Sequence, residues 1–406
     1  MTLSVALGLI SLAIWIYLLR WRDGFWRADQ WLPPSPSRSA GEPWPGVVAI
    51  VPARNEVGTI ARCLQGLVDQ DYPGALSIIL VDDASDDGTG EAARIVLEAH
   101  AERRPGLVAE APPLAEGWTG KLAAMEAGVR AAETFAPGAA FVWFTDADIT
   151  HEPHTLGRLV AKTREGRDLV SLMVQLHCSS AWERVLIPAF VFFFQMLYPF
   201  PAINAAPSRV GGAAGGCVLL RRASLASIGG LAAIRGALID DCSLAEAVRA
   251  RGGRLWLGLA DSSRSLRPYA ELKEIWDMVA RTAYAQLSYS PFLLIGTVIG
   301  LVLVFLTPPL LVLTVPFHKS LLAFGLGVAA WVLMAKAYLP TLRAYHGTRL
   351  RAFGLPAAAT LYMAMTVSSA LRHWRGVGGQ WKARTYKAPG EGGGDIFASP
   401  RDKHLG

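Results

Sequence analysis

Two kinds of hydrophobic pattern divide this chain. At both ends apolar residues run on almost without a break, whereas the middle has short apolar runs separated by amphipathic stretches. Thr2 to Leu19 contains no charged residue and ends on Arg20, Trp21 and Arg22. A cleaved signal peptide carries its positive charge ahead of the apolar run and a small-residue cleavage site behind it. Here the charge follows the run, so residues 1–22 read as an uncleaved anchor with its N-terminus outside and its basic flank inside. Residues 23–45 read as a linker, Pro- and Ser-rich from Pro33 to Pro45. Farther on, Pro291 to Phe317 carries no charge and Leu321 to Pro340 carries only Lys336. Each covers the ~20 residues that a helix needs to cross a bilayer. Ala352 to Leu371 is a third such segment, flanked by Arg349, Arg351, Arg372 and Arg375. Three crossings would put the basic tail (Lys382, Arg384, Lys387) outside, against the positive-inside tendency, so a re-entrant or interfacial course is the alternative. Residues 287–375 are thus membrane segments and 376–406 a basic, Gly-rich tail.

Between them, residues 46–286 change period. Val47–Val51, Ser77–Asp82, Ala140–Thr145 and Leu169–Val174 predict strands, and Gly58–Asp69, Thr89–His100 and Leu122–Glu133 predict helices. Strands alternating with helices imply an α/β fold, a mostly parallel sheet covered on both faces. Residues 185–206 are apolar and aromatic but are broken by Pro188, Pro199 and Pro201. They read either as a buried helix or as a helix lying in the headgroup layer, and the second is the expectation because it brings a lipid close to the domain.

Composition sharpens the membrane reading. Apolar residues make up 52% of the chain and charged residues 18%, and the mean hydropathy is +0.31. The net charge is +6 and the pI about 9.2. Because the basic residues crowd beside apolar runs, anionic lipid headgroups rather than nucleic acid are the expected partner. Cys63, Cys178, Cys217 and Cys242 show no paired spacing and read as buried, reduced thiols.

Four constellations sit where predicted strands end, the edge at which open α/β sheets bind ligands. Pro52-Ala53-Arg54-Asn55-Glu56 follows the first strand, and a strand-to-helix turn there offers backbone N–H groups to an anionic ligand. Asp82 and Asp83 end the second; the following Asp86 to Thr89 is explained by turn and capping chemistry, but the adjacent carboxylates suit a ribose or a base N–H. Asp146-Ala147-Asp148 ends the third, and two carboxylates at a fraying strand end can converge on Mg2+ or Mn2+. Asp240-Asp241 opens a helical stretch, where acids complement the dipole or supply a general base.

Together these residues resemble the family 2 glycosyltransferases over roughly Gly46 to Gln286. Val51 to Glu56 is similar to the opening motif of that family, Val81 to Thr89 to its nucleoside-binding motif, and Asp146-Ala147-Asp148 to its metal-binding motif. Asp240-Asp241 falls where the family has Glu-Asp. Gly117-Trp118-Thr119-Gly120-Lys121 resembles the loop of the branch that glycosylates ceramides, carotenoids and hopanoids. The run containing Gly211, Gly212, Gly215 and Gly216 resembles the acceptor-side loop. With the membrane segments and the tail Gln380 to Tyr386, the chain looks most like the hopene-associated glycosyltransferases.

The resemblance implies a GT-A, Rossmann-like domain that moves one sugar, with inversion, from a nucleotide-sugar (a UDP-sugar) to a lipid acceptor, a hopanoid in the nearest branch. It implies a catalytic domain on the cytoplasmic side of a bacterial inner membrane. Pro52, Arg54, Glu56, Asp82, Asp83, Lys121, Asp146 and Arg281 would bind the donor. Asp146 and Asp148 would hold Mg2+ or Mn2+, and Asp241 would act as base beside Asp240. Two departures stand out. Asp240 is shorter than the usual Glu, and the Gln-x-x-Arg-Trp motif of polymer synthases survives only as Arg281-Thr282. A polyprenyl-phosphate sugar transferase and a non-catalytic scaffold that kept the fold are the alternatives.

Overall fold

A computed structural model describes residues 2–34, 43–376, 380–381 and 384–385. Residues 35–42 of the linker and most of the tail, Lys382 and Lys387 included, lie outside the described residues.

The chain opens with helix α1 (Leu3–Trp21), then β1 (Gly46–Ala53), α2 (Val57–Val68), β2 (Leu76–Asp82), α3 (Thr89–Ala99), β3 (Gly106–Glu110), α4 (Gly120–Phe135) and β4 (Ala139–Thr145). Next come β5 (Ile149–His151), α5 (Thr155–Thr163), β6 (Leu169–Gln175), α6 (Ala181–Leu197), α7 (Phe200–Asn204), β7 (Cys217–Arg221), α8 (Arg222–Ser227), α9 (Asp240–Ala250), β8 (Leu255–Ser265) and α10 (Leu272–Thr282). The sheet order is β3-β2-β1-β4-β7-β6-β8-β5. β3, β2, β1 and β4 run parallel, β7 is antiparallel to both its neighbours, and β6 and β8 are parallel to each other. The carboxyl ends of β1, β2, β4, β6 and β8 therefore share one edge.

Side chains alternate across a strand, so β1 feeds two cores. Val48 and Ile50 pack on one face with Ile79, Val81 and Phe144, while Val47, Ala49 and Val51 pack on the other with Ile60, Leu64 and Leu67. Helix α2 is fixed by its pattern: Ile60, Cys63, Leu64, Leu67 and Val68 form a single buried stripe. Helix α4 lies close because Gly128 leaves room, since a Cβ there would sit 2.4 Å from Ile50 Cγ2.

A third core joins the domain to the C-terminal helices α11 (Pro291–Leu301), α12 (Thr307–Leu313), α13 (Val315–His318), α14 (Leu321–Ala344) and α15 (Leu355–Trp374). It contains Trp15, Leu186, Phe192, Ile275, Tyr338, Tyr362 and Met365. Residues 186–189, 191, 192 and 195 of α6 are buried. Most of that helix is thus a packed seam between domain and bundle, as in the first of the two readings of 185–206, and only Trp182, Val185 and Leu197 are exposed large apolar residues. Among the described residues four stretches are long and apolar enough to cross a membrane: 3–21, 291–313, 321–344 and 349–374. The segment 352–371 lies within one continuous helix preceded by a 3-10 turn. A π-helical turn, Val302–Leu306, joins α11 to α12. Pro308 has no N–H to give the carbonyl four residues back, and Trp15 Nε1 donates to that carbonyl, Val304 O, at 2.8 Å.

All four cysteines are free; Cys63, Cys217 and Cys242 are buried as expected, while Cys178 is partly exposed.

Gly128→Ala is expected to destabilise the protein by about 1–3 kcal/mol, since overpacking against Ile50 outweighs the helix propensity gained. A thermal midpoint below wild type in detergent checks it.

Candidate functional site

The parallel strands deliver their acids and bases to one cavity of about 680 Å³. Pro52, Arg54 and Glu56 come from the end of β1, Asp146 and Asp148 from the end of β4, and Asp240 and Asp241 from the first turn of α9. Lys121, Gly215, Gly216 and Arg281 also line it. Asp82, Asp83, Gly211 and Gly212 do not: Asp82 accepts from Ser85 N at 3.1 Å, and Asp83, 3% exposed, faces Arg54 at 3.6 Å. Gly211 and Gly212 instead permit close packing, on Glu246 and on Ile203 with Tyr198.

Gathering carboxylates this closely requires cations. Lys121 Nζ lies 2.9 Å from Asp146 Oδ1 and 3.0 Å from Asp240 Oδ2, bridging the strand end to the helix start. Arg267 makes the second bridge. Its Nη2 reaches Glu56 Oε1 at 2.7 Å and Oε2 at 3.0 Å, and its Nε reaches Asp148 Oδ2 at 3.3 Å. Burial alone would lower the Lys121 ammonium, but Asp146 and Asp240 outweigh it and hold it above its ordinary range. Burial and Asp146 push the Asp148 carboxyl up to about 6, with Arg267 opposing. Burial and Asp240 push Asp241 up to about 6, with Lys121 opposing. Asp241 Oδ2 accepts from Gly215 N and its Oδ1 from Cys242 N, both at 2.7 Å, which fixes the carboxylate in the cavity wall. A Cβ on Gly215 would stand 3.2 Å from Asp241 Oδ2 and 3.3 Å from Lys121 Nζ, so this glycine lets the two approach the backbone.

Arg267 and Tyr269 escaped the sequence reading. The signal was there: β8 is parallel to the site-bearing strands, and Arg267 stands two residues past its end. Leu266 N donates to Asp148 O at 2.7 Å, which seats Arg267 beside that carboxylate. Tyr269 N donates to Glu183 at 2.6 Å. Burial would raise the Glu183 carboxyl, but donors from Tyr269, Ser180 and His177 outweigh it and bring it down to about 2.

The far half of the cavity is apolar. Phe190, Phe193 and Phe194 of α6, Met278 and Val279 of α10, Leu301 of α11 and Tyr362 of α15 line it. Tyr198 and Gln286, hydrogen-bonded at 3.0 Å, also line the cavity, and burial holds the Tyr198 phenol above its ordinary range, with the Asp241 charge adding to the effect. A polar chamber at the sheet edge thus continues into an apolar one inside the helical bundle.

Known proteins match this architecture. Residues 48–229 match the model of Glycosyl transferase family 2. An N-acetylglucosaminyltransferase of Rhizobium meliloti is 31% identical over 196 residues, 46% of this chain and 41% of that protein. One of Mesorhizobium japonicum is 44% identical over 54 residues, 13% of each. The chain therefore spans less than half the length of either relative. Among solved structures, a mannosyltransferase of Pyrobaculum calidifontis in complex with GDP-Man and Mn2+ superposes with a TM-score of 0.53 at 19% identity, over 91% of this chain and 98% of that one. That likeness shows the fold, GT-A, whose sheet edge carries the cavity described above.

A group whose folded pKa is raised binds its proton more tightly in the native state. Stability therefore falls as pH rises from 3.8, the ordinary value for Asp241, through about 6. Asp241→Asn loses one of the two backbone N–H bonds at every pH but also removes this titration, so relative to wild type it should gain about 1–3 kcal/mol between pH 4 and pH 8. Thermal midpoints across that range check both the sign and the window.

Proposed function

We propose, from the premise that residues 48–229 form a family 2 glycosyltransferase domain, that this chain moves a single sugar from a nucleoside-diphosphate sugar to the hydroxyl of a membrane lipid. One observation carries the reading: the cavity that holds Asp146, Asp148, Asp240 and Asp241 runs on between helices apolar enough to cross a membrane. A polar donor and an apolar acceptor can meet there without either leaving its own solvent.

The donor enters at the sheet edge. The Pro52 backbone, Arg54 and Glu56 flank the nucleoside side, and the Arg54–Asp83 contact braces that wall from behind. Uridine is the proposed base, and Lys121 and Arg281 face the diphosphate. The residues fit a divalent ion. Glu56, Asp146, Asp148, Asp240 and Asp241 outnumber the cations that line the cavity, Arg54, Lys121, Arg267 and Arg281, and carboxylate oxygens suit a hard cation. Among the described residues no group of three or more His, Cys, Asp or Glu is arranged to hold a metal by itself. Asp146 and Asp148 would thus share Mg2+ or Mn2+ with the phosphates, and the ion would stabilise the charge that develops on the leaving diphosphate.

Asp241 takes the acceptor proton. Its raised pKa makes it a stronger base than an exposed aspartate while leaving it ionised above about pH 6. The hydroxyl attacks the anomeric carbon from the side opposite the leaving nucleotide and inverts it. The apolar half of the cavity orients the acceptor, and its aromatic lining suits a bulky lipid alcohol of the hopanoid kind. The helices at 3–21, 291–313, 321–344 and 349–374 anchor the enzyme in the bacterial cytoplasmic membrane, with the domain on the cytoplasmic side.

The testing experiment is nucleotide release by the detergent-purified protein from a panel of UDP- and GDP-sugars with Mn2+, with and without bacterial lipid extract. Release that requires one donor and added lipid supports the reading, and release equal without lipid overturns the lipid acceptor. Asp241→Asn should lower transfer about 100- to 10,000-fold and leave donor binding intact. In the wild type, kcat should rise with pH through about 6 as Asp241 deprotonates. Transfer by the variant at wild-type rate would remove Asp241 from the chemistry.

A further inference from the structure

We infer that Arg267 is a placeholder cation: it competes with the divalent ion for Asp148 and yields that carboxylate only when the donor diphosphate takes up its guanidinium. The inference rests on the metal and donor sites proposed above and assigns the order in which they fill.

Its geometry is that of a bridge with one firm and one loose end. Both Glu56 oxygens lie within 3.0 Å of Nη2, whereas Asp148 is touched only by Nε at 3.3 Å. A divalent ion bonds a carboxylate oxygen at roughly 2.0–2.1 Å for Mg2+. An ion on Asp148 Oδ2 would therefore stand within a few ångströms of the guanidinium, where a like charge of two units against one repels strongly even at a partly solvated site. The weak end must open. Glu56 keeps the guanidinium nearby, so the released N–H groups turn toward whatever anion enters, and a phosphate accepts the planar fork as well as a carboxylate does.

The surroundings permit that motion and little else. The backbone on either side is tied: Leu266 N to Asp148 O at 2.7 Å, Arg267 N to Ser265 Oγ at 3.3 Å, and Tyr269 N to Glu183 at 2.6 Å. The Arg267 side chain is 37% exposed, against 12% for Glu56 and 19% for Asp148. A long side chain on a fixed loop can swing without moving the sheet. Lys121 plays the matching part on the other side, held by Asp146 and Asp240 at 2.9 and 3.0 Å. With both carboxylates of the Asp-x-Asp pair already paired, metal alone has little to gain, while metal and diphosphate together replace every contact they break.

The test is Mn2+ binding by the full chain in detergent, followed through the free-Mn2+ electron paramagnetic resonance signal, with and without UDP. Wild type should bind Mn2+ weakly alone and at least about tenfold more tightly with UDP. Arg267→Gln should bind Mn2+ alone about tenfold more tightly than wild type, yet bind UDP about tenfold more weakly. Arg267→Lys keeps the charge and loses the fork, so it should match wild type for Mn2+ alone while still binding UDP more weakly. These opposite signs are beyond a merely damaged site, which would weaken both ligands. If Arg267→Gln binds Mn2+ alone no more tightly than wild type, or UDP as well as wild type does, the placeholder role is overturned. Asp148→Ala separates that failure from a deeper one. Loss of its UDP-dependent Mn2+ binding keeps the metal site whatever Arg267 does, whereas unchanged binding removes the metal from Asp148 and overturns both readings.

Discussion

Five carboxylates brought to one end of a sheet cannot share a cavity without cations, and the site is organised around that constraint. Lys121 and Arg267 answer it, each spanning two acids that arrive on different elements. Lys121 links β4 to α9, and Arg267, from the loop after β8, links the turn after β1 to the turn after β4. The cations therefore do two things at once: they offset repulsion, and they set the distances at which the strand ends stand from one another. Burial, and after it the neighbouring acids Asp146 and Asp240, raise the carboxyl pKa values of Asp148 and Asp241. Strain of this kind is common where chemistry is done, because a site relaxed in isolation has less to gain from its ligands.

The second constraint is solvent. On the proposed reading a nucleotide-sugar from water meets a lipid from the bilayer, and that needs one chamber open to both. Here α6 resolves the problem. Its capping box, made by Ser180 and Glu183, begins it at the sheet edge, and its aromatic face then packs against α14 and α15. Glu183 serves both ends of this arrangement, since it also accepts from Tyr269 N and so ties the Arg267 loop to the start of the same helix. The domain and the bundle are consequently not a globule on a tether. They share a core, and the wall of the cavity is made by both.

The same logic reaches the N-terminal helix. Pro308 leaves the Val304 carbonyl without its helical partner, and the Trp15 indole supplies the donor that the hydrophobic surroundings lack. Leu301, one residue before the π-helical turn, is part of the cavity wall. The N-terminal helix thus helps to shape the apolar chamber.

Much of this was legible in the sequence because it is local. Alternation in Val47–Val51 and the 3–4 spacing in α2 dictate strand and helix, and acids placed at strand ends must meet at one edge of a parallel sheet. So Glu56, Asp146 and Asp148 could be brought together on paper, and the family resemblance added Asp240 and Asp241 at the start of a helix. Arg267 could not, since its partners lie 211 and 119 residues away and only the parallel setting of β8 makes them neighbours. Asp82 and Asp83 looked equal to the other strand-end acids, yet the turn claims one and the Arg54 contact the other. Residues 185–206 carried two readings because an apolar, proline-broken helix suits a lipid surface and a protein seam equally well. Hydrophobicity states that a face will be covered; only the tertiary structure decides by what.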